Sequence, residues 1–222
     1  MPIPDETVFG PNVVDGQPIT YGELRKITDE ALQIDYLKER LDGFLLRQVA
    51  PLAARHADGK LKLWCPFPLT VLTCISAETL GRVIKPIDQI RSADVSREVS
   101  IYIFGKMDQK LTRKPKKLFK QEMQDLWPRD DIANIKSYAE IFYKYLRSSF
   151  AHGYRSKNIF LDHELEEGWK TDRGFLIINP YWFWKAFETV YKSSFETIRD
   201  KSRTINPYRE NALKYFNKLL TD

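Results

Sequence analysis

From Leu24 to Val49, apolar residues return every three or four positions: Leu24, Ile27, Ala31, Ile34, Leu37, Leu41, Phe44, Leu45 and Val49. That period belongs to a helix that buries one stripe of its surface. The same reading extends to Leu69–Ile84, to residues 131–152 and to the stretch opened by Pro180. The chain is therefore expected to be all-α, a helical bundle with at most a minor β element. With 222 residues, 43% of them hydrophobic and 29% charged, it can bury a full core and has the balance of a globular protein.

Punctuation sets the expected boundaries. Pro2, Pro4, Pro11 and Pro18, with Gly10 and Gly16, make residues 1–18 an extended N-terminal arm, which leaves 19–222 as a single helical domain. Thr20 with Glu23 three positions later forms a capping box, so a helix starts there and runs to about Ala57, kinked by Pro51. Residues 58–68 connect it to the helix Leu69–Ile84, which Pro86 stops. In that helix Glu78 and Arg82 are four apart, and the small residues Ser76, Ala77 and Gly81 let another helix approach closely. Residues 95–107 read as helix, although Val99, Ile101 and Ile103 alternate as a strand would. Residues 154–174 are polar and read as a loop, followed by Phe175–Asn179, an apolar run suited to one strand of a small hairpin with the preceding residues. Trp182, Ala186, Thr189, Val190 and Phe195 are the expected inner face of the helix from Pro180 to about Arg199. Asn206-Pro207 breaks the chain before a terminal helix from Tyr208 to Leu220.

Charge and cysteine content narrow the classes. A net charge of +5 and a pI near 9.0 favour polyanionic partners. Lys106, Lys110, Arg113, Lys114, Lys116, Lys117 and Lys120 cluster in residues 106–120, opposed only by Asp108. This is either a solvated connection or an RNA-backbone contact carried by Lys114, Lys116, Lys117 and Lys120. The two cysteines, Cys65 and Cys74, form no disulfide framework and have no zinc spacing, which points to a reducing, cytoplasmic compartment and no metal. The N-terminus lacks the pattern of a signal peptide. No uninterrupted apolar stretch is expected to span a membrane.

Of the three histidines, only His152 has an arginine five positions before it; Pro51 precedes His56 and Asn158 precedes His163 at that spacing. On a regular helix five steps of about 100° leave Arg147 and His152 about 140° apart. Gly153 places His152 in the last turn, where the ring can swing back. Ser148 and Ser149 keep the surface small and polar, and Tyr154 and Arg155 follow at once. The bland alternative is a salt-bridged surface arginine and a histidine that caps a helix end. The chemical alternative is cleavage of RNA by its own 2′-hydroxyl: imidazole moves a proton near neutral pH, and guanidinium holds the phosphate and its growing charge. One histidine per chain is too few for separate acid and base roles, so a symmetric homodimer is expected to pair two copies in one cleft.

The segment Phe142-Tyr-Lys-Tyr-Leu-Arg147-Ser-Ser-Phe-Ala-His152-Gly-Tyr154 resembles the signature of the HEPN superfamily, Arg-x4-6-His with a polar residue after the arginine. It is most similar to the Arg-x4-His-x-Tyr form found in HEPN toxins. The resemblance implies a HEPN-like helical bundle and a metal-independent endoribonuclease that needs no cofactor. It implies Arg147 and His152 as the catalytic pair, with Ser148 as their polar neighbour. It also implies a toxin–antitoxin or antiviral defence setting, with RNA as the partner. Tyr154 would be the target of a nucleotidyltransferase antitoxin, and Arg155 would join the lysines in holding RNA. Two other readings stay open. One is a HEPN-like module that binds nucleotide or RNA without cutting. The other is a helical scaffold subunit, for which the aromatic run Tyr181-Trp-Phe-Trp184 would be either an exposed interface or buried core.

Overall fold

The computed structural model describes residues 3–9, 18–55, 62, 65–85, 95–126, 134–148, 159–202 and 204–221. At Asp125, Leu126, Arg147 and Ser148 it describes the backbone. The described chain is predominantly helical, with one small three-stranded sheet.

The capping box forms as the sequence predicts. The Glu23 amide donates to the Thr20 hydroxyl, and the Thr20 amide donates to the Glu23 carboxylate at 2.8 Å. The helix it starts, however, is short: α1 spans Tyr21–Leu24. Asp29 then caps a new helix by accepting from the Leu32 amide at 2.9 Å, and α2 runs from Glu30 to Leu41. The expected continuous helix to Ala57 is therefore broken, because a short acceptor side chain at Asp29 competes for backbone donors. Beyond α2 the chain winds as a π-helix over Asp42–Arg47 and as a 3₁₀ turn over Ala50–Ala53, with Pro51 inside it. The wider π register turns Phe44 out to solvent, 43% exposed, while Leu41, Leu45 and Val49 stay buried as expected. Arg40 covers the exposed ring at 5.3 Å.

The helix α3, Pro66–Ile84, begins three residues earlier than expected and forms the centre of the core. By length and composition it is apolar enough to cross a bilayer, contrary to the sequence expectation. Here it buries Leu69, Cys74, Ala77, Leu80, Val83 and Ile84 among the other helices. It packs against α4 (Val95–Met107), α7 (Pro180–Arg199) and α8 (Pro207–Thr221). The alternation at Val99–Ile103 is thus helical. Gly81 is where α3 and α4 meet: a Cβ there would lie 2.7 Å from Val99 Cβ. Arg82 bonds Glu78 at 2.9 Å and the Ser96 hydroxyl at 2.7 Å, so the anticipated ion pair also ties α3 to α4.

The helix α7 starts at Pro180 under an Asn179 cap and ends at Arg199, as the sequence predicts. Val190 and Phe195 face in, Trp182 and Ala186 are half-buried, and Thr189 is exposed, contrary to expectation. The inner face is aromatic instead: Phe183, Trp184, Phe187 and Tyr191 are buried. The run from Tyr181 to Trp184 is therefore core rather than an exposed interface. Tyr191 reaches the start of the π-helix that follows α2, where its hydroxyl donates to the Asp42 carboxylate at 2.6 Å.

In the N-terminal arm the described residues 3–9 are docked and include a turn, in which the Thr7 amide donates to the Pro4 carbonyl at 3.1 Å. Val8 bridges Thr20 antiparallel, and Phe9 packs its buried ring on Tyr21 and Phe216. Arg25 ties both ends of the chain together, donating to the carbonyls of Ile3 and Leu220 and pairing with Asp5.

Phe175–Ile178 forms a hairpin with the residues before it, as the sequence suggested, and a further strand from the expected loop joins it. β1 (Ile159–Leu161) lies parallel to β3 (Phe175–Ile178), and β2 (Trp169–Asp172) lies antiparallel to it, in the order β1-β3-β2. The two-residue turn between β2 and β3 has Arg173 at φ 43° and Gly174 at φ 77°, both positive as a type I′ hairpin turn requires.

Candidate active site

The segment that carries Arg147 begins later than the sequence suggested. Ser137 caps the helix, accepting from the Glu140 amide at 3.2 Å, and α6 spans Tyr138–Ile141. Glu140 in turn accepts from the Lys136 amide at 2.8 Å and pairs with Arg97 on α4 at 3.4 Å. The Ser137-x-x-Glu140 spacing is a start signal of the same kind as Thr20-x-x-Glu23. From Phe142 to Ser148 the helix is wound as a π-helix, not the regular helix expected over 131–152. Its hydrogen bonds join residues five apart, a register that is rare and occurs often at functional sites. Arg147 and Ser148 belong to this π segment.

One face of this segment packs into the core. Ile141, Phe142, Tyr145 and Leu146 are buried, and Tyr138 is half-buried. Phe142 contacts Phe104 of α4 and Phe183 of α7, with centroids 6.1 and 5.8 Å apart. Trp169 of β2 supports the helix from the side. Its ring lies 5.0 Å from Tyr138 and 5.7 Å from Phe142, and its indole N–H donates to Asp108 Oδ2 at 2.9 Å. Trp169 carried no signal in the sequence, because Trp-Lys-Thr-Asp reads as polar. Asp108, which interrupts the basic cluster, is held by this bond and by the Lys110 amide at 2.8 Å.

The basic segment is bound to the start of the same helix. The Tyr138 amide donates to the Arg113 carbonyl at 3.0 Å, and the Lys116 amide donates to the Tyr138 hydroxyl at 3.5 Å. The segment continues into α5 (Lys117–Leu126), which buries Phe119 and Met123 and leaves Leu118 71% exposed. Lys114, Lys116 and Lys117 are exposed and Lys120 is half-buried. Lys116 and Arg147 thus attach to opposite ends of one helical segment, in which Tyr138 and Arg147 lie no more than about 14 Å apart along the axis at about 1.5 Å per residue.

His152, Tyr154 and Arg155, with Ser149 and Gly153, lie outside the described residues, as does Pro86. The structure therefore brings Arg147, Ser148 and the lysine segment onto one supporting framework, and the rest of the proposed constellation follows Ser148 in the chain. Cys65 and Cys74 are not joined in a disulfide. Among the described residues no group of three or more His, Cys, Asp or Glu is placed to hold a metal ion.

Compared with family models, curated proteins and solved structures, the chain matches none.

Proposed function

We propose that this chain is a HEPN-type, metal-independent endoribonuclease that cleaves RNA by attack of the 2′-hydroxyl. In this reading the finer fold is a HEPN-like bundle. Arg147 holds the scissile phosphate and stabilises its added charge, and His152 transfers the proton. Ser148 is the polar neighbour of the pair. A two-fold homodimer supplies the second histidine, so that one imidazole serves as base and the other as acid. Lys114, Lys116, Lys117, Lys120 and Arg155 hold the RNA backbone. The setting is cytoplasmic, in toxin–antitoxin or antiviral defence, and Tyr154 is the residue a nucleotidyltransferase antitoxin would modify.

The observation that carries the reading is the Arg147-x4-His152-x-Tyr154 spacing in the sequence, whose arginine lies in a segment wound in π register, a register that occurs often at functional sites. The basic segment anchored to the other end of the same helix supplies a track for the phosphates on either side of the cut. The test is RNA cleavage by the purified chain in EDTA, with and without His152. Binding without cleavage by the wild type would favour the module that binds and does not cut.

A further inference from the structure

A cavity of about 620 Å³ opens between the end of α4, the last turns of α7 and the start of α8. Its size falls in the range of small-molecule sites. The residues that give it chemical character are Lys106, Gln109, Ser194, Thr197, Asn206 and Tyr208, and no carboxylate lines it among the described residues.

Three features point to an anion. The Lys106 ammonium sits 5.0 Å from the ring centroid of Tyr102 and 5.4 Å from that of Tyr208. The two phenols are joined to each other by a hydrogen bond of 2.5 Å. The aromatic pair holds the cation in place, and Lys106 has no ion-pair partner among the described residues. Next, α8 starts at the cavity. Asn206 accepts from the Arg209 amide through its side chain at 3.2 Å and from the Glu210 amide through its carbonyl at 3.1 Å. Among the described residues no partner takes the Tyr208 amide, at the positive end of a 15-residue helix. Finally, Ser194 is 3% exposed and lines the cavity without a hydrogen-bond partner for its hydroxyl among the described residues. Its neighbours Ser193 and Thr197 both bond back to α7. The Ser194 hydroxyl is therefore available to a ligand oxygen in the cavity.

We infer that this cavity binds a small phosphomonoester, with the phosphate between Lys106 and the Tyr208 amide and the hydroxylated remainder against Ser194 and Gln109. The inference does not depend on RNA cleavage. It is tested by calorimetric titration of the full chain with ribose 5-phosphate, ribose and inorganic phosphate. Ribose 5-phosphate should bind and raise the melting temperature, inorganic phosphate should bind more weakly, and ribose should not bind. Lys106→Gln should weaken ribose 5-phosphate binding by about tenfold or more, as expected for a charge-assisted contact. Ser194→Ala should weaken it less, and both variants should keep the wild-type circular dichroism. Lack of ribose 5-phosphate binding at millimolar concentration would overturn the inference. So would equal affinity in Lys106→Gln and wild type, or inorganic phosphate binding as tightly as the sugar phosphate.

Discussion

The amide of Tyr138 donates to the carbonyl of Arg113 at 3.0 Å, and this bond fixes the basic segment to the helix that carries Arg147. The backbone beyond Arg113 is thereby held beside the start of that helix. Replacing Lys114, Lys116, Lys117 and Lys120 with glutamine should weaken RNA binding. It should also lower the slope of log affinity against log salt by about 0.7 for each single-strand phosphate that is no longer neutralised. Filter binding across a salt series measures both. An unchanged slope would make the segment a solvated connection and nothing more.

Gly81 is the contact point of α3 and α4. Gly81→Ala would set a methyl group 2.7 Å from Val99 Cβ and equally close to its carbonyl oxygen. Since backbone cannot swing aside, the helices must separate, at a cost of about 1–3 kcal/mol. Urea denaturation followed by circular dichroism should show the loss. Gly105→Ala, which meets only the Thr112 side-chain methyl at 2.9 Å, should cost less.

Tyr191 predicts an alkaline limit to stability. Burial first, and then its hydrogen bond to the Asp42 carboxylate, raise its pKa above the ordinary value of 10.0. The folded state therefore keeps a proton that the unfolded chain gives up. This stabilisation is fully present below about pH 10 and declines as pH rises beyond it. Tyr191→Phe should cost about 1.5–3 kcal/mol at neutral pH, the range for a hydrogen bond to a charged group. The gap between wild type and variant should close in strong alkali. Urea midpoints at neutral pH and above about pH 10 check this, and a gap independent of pH would contradict it.

What could be read from the sequence was local. The Thr20–Glu23 box, the Glu78–Arg82 pair, the small residue at Gly81 and the start of α7 at Pro180 each depend on a few neighbouring residues. The misplaced features depend on partners far along the chain or on helix register. The π turns that expose Phe44 and shift Arg147 out of α register follow no apolar period. Thr189 faces solvent because α7 turns an aromatic face inward. Trp169 lies in a polar run, yet it bonds Asp108 and packs on Tyr138 and Phe142, contacts that only the folded chain brings together. For the site, spacing alone singled out Arg147 and His152. The link between Lys116 and Tyr138 joins residues 22 apart and left no mark on the sequence.

Tyr154→Phe separates the proposed modification site from the proposed chemistry. A phenol is not needed for proton transfer near neutral pH, so the variant should cleave RNA as wild type does. It should lose the adduct formed when the chain is incubated with a nucleotidyltransferase antitoxin and ATP, read by mass spectrometry. Loss of cleavage in this variant would place Tyr154 in the chemistry instead.

The measurement that bears most directly on the proposed function is cleavage of a labelled RNA in EDTA by wild type, His152→Ala and Arg147→Ala, with circular dichroism as the control for folding. Wild type should cut. His152→Ala should be slower by about 10²–10⁴-fold, the contribution of a positioned proton-transfer group, and Arg147→Ala should lose nearly as much. A His152→Ala protein that folds and cuts as fast as wild type would contradict the assignment of the site.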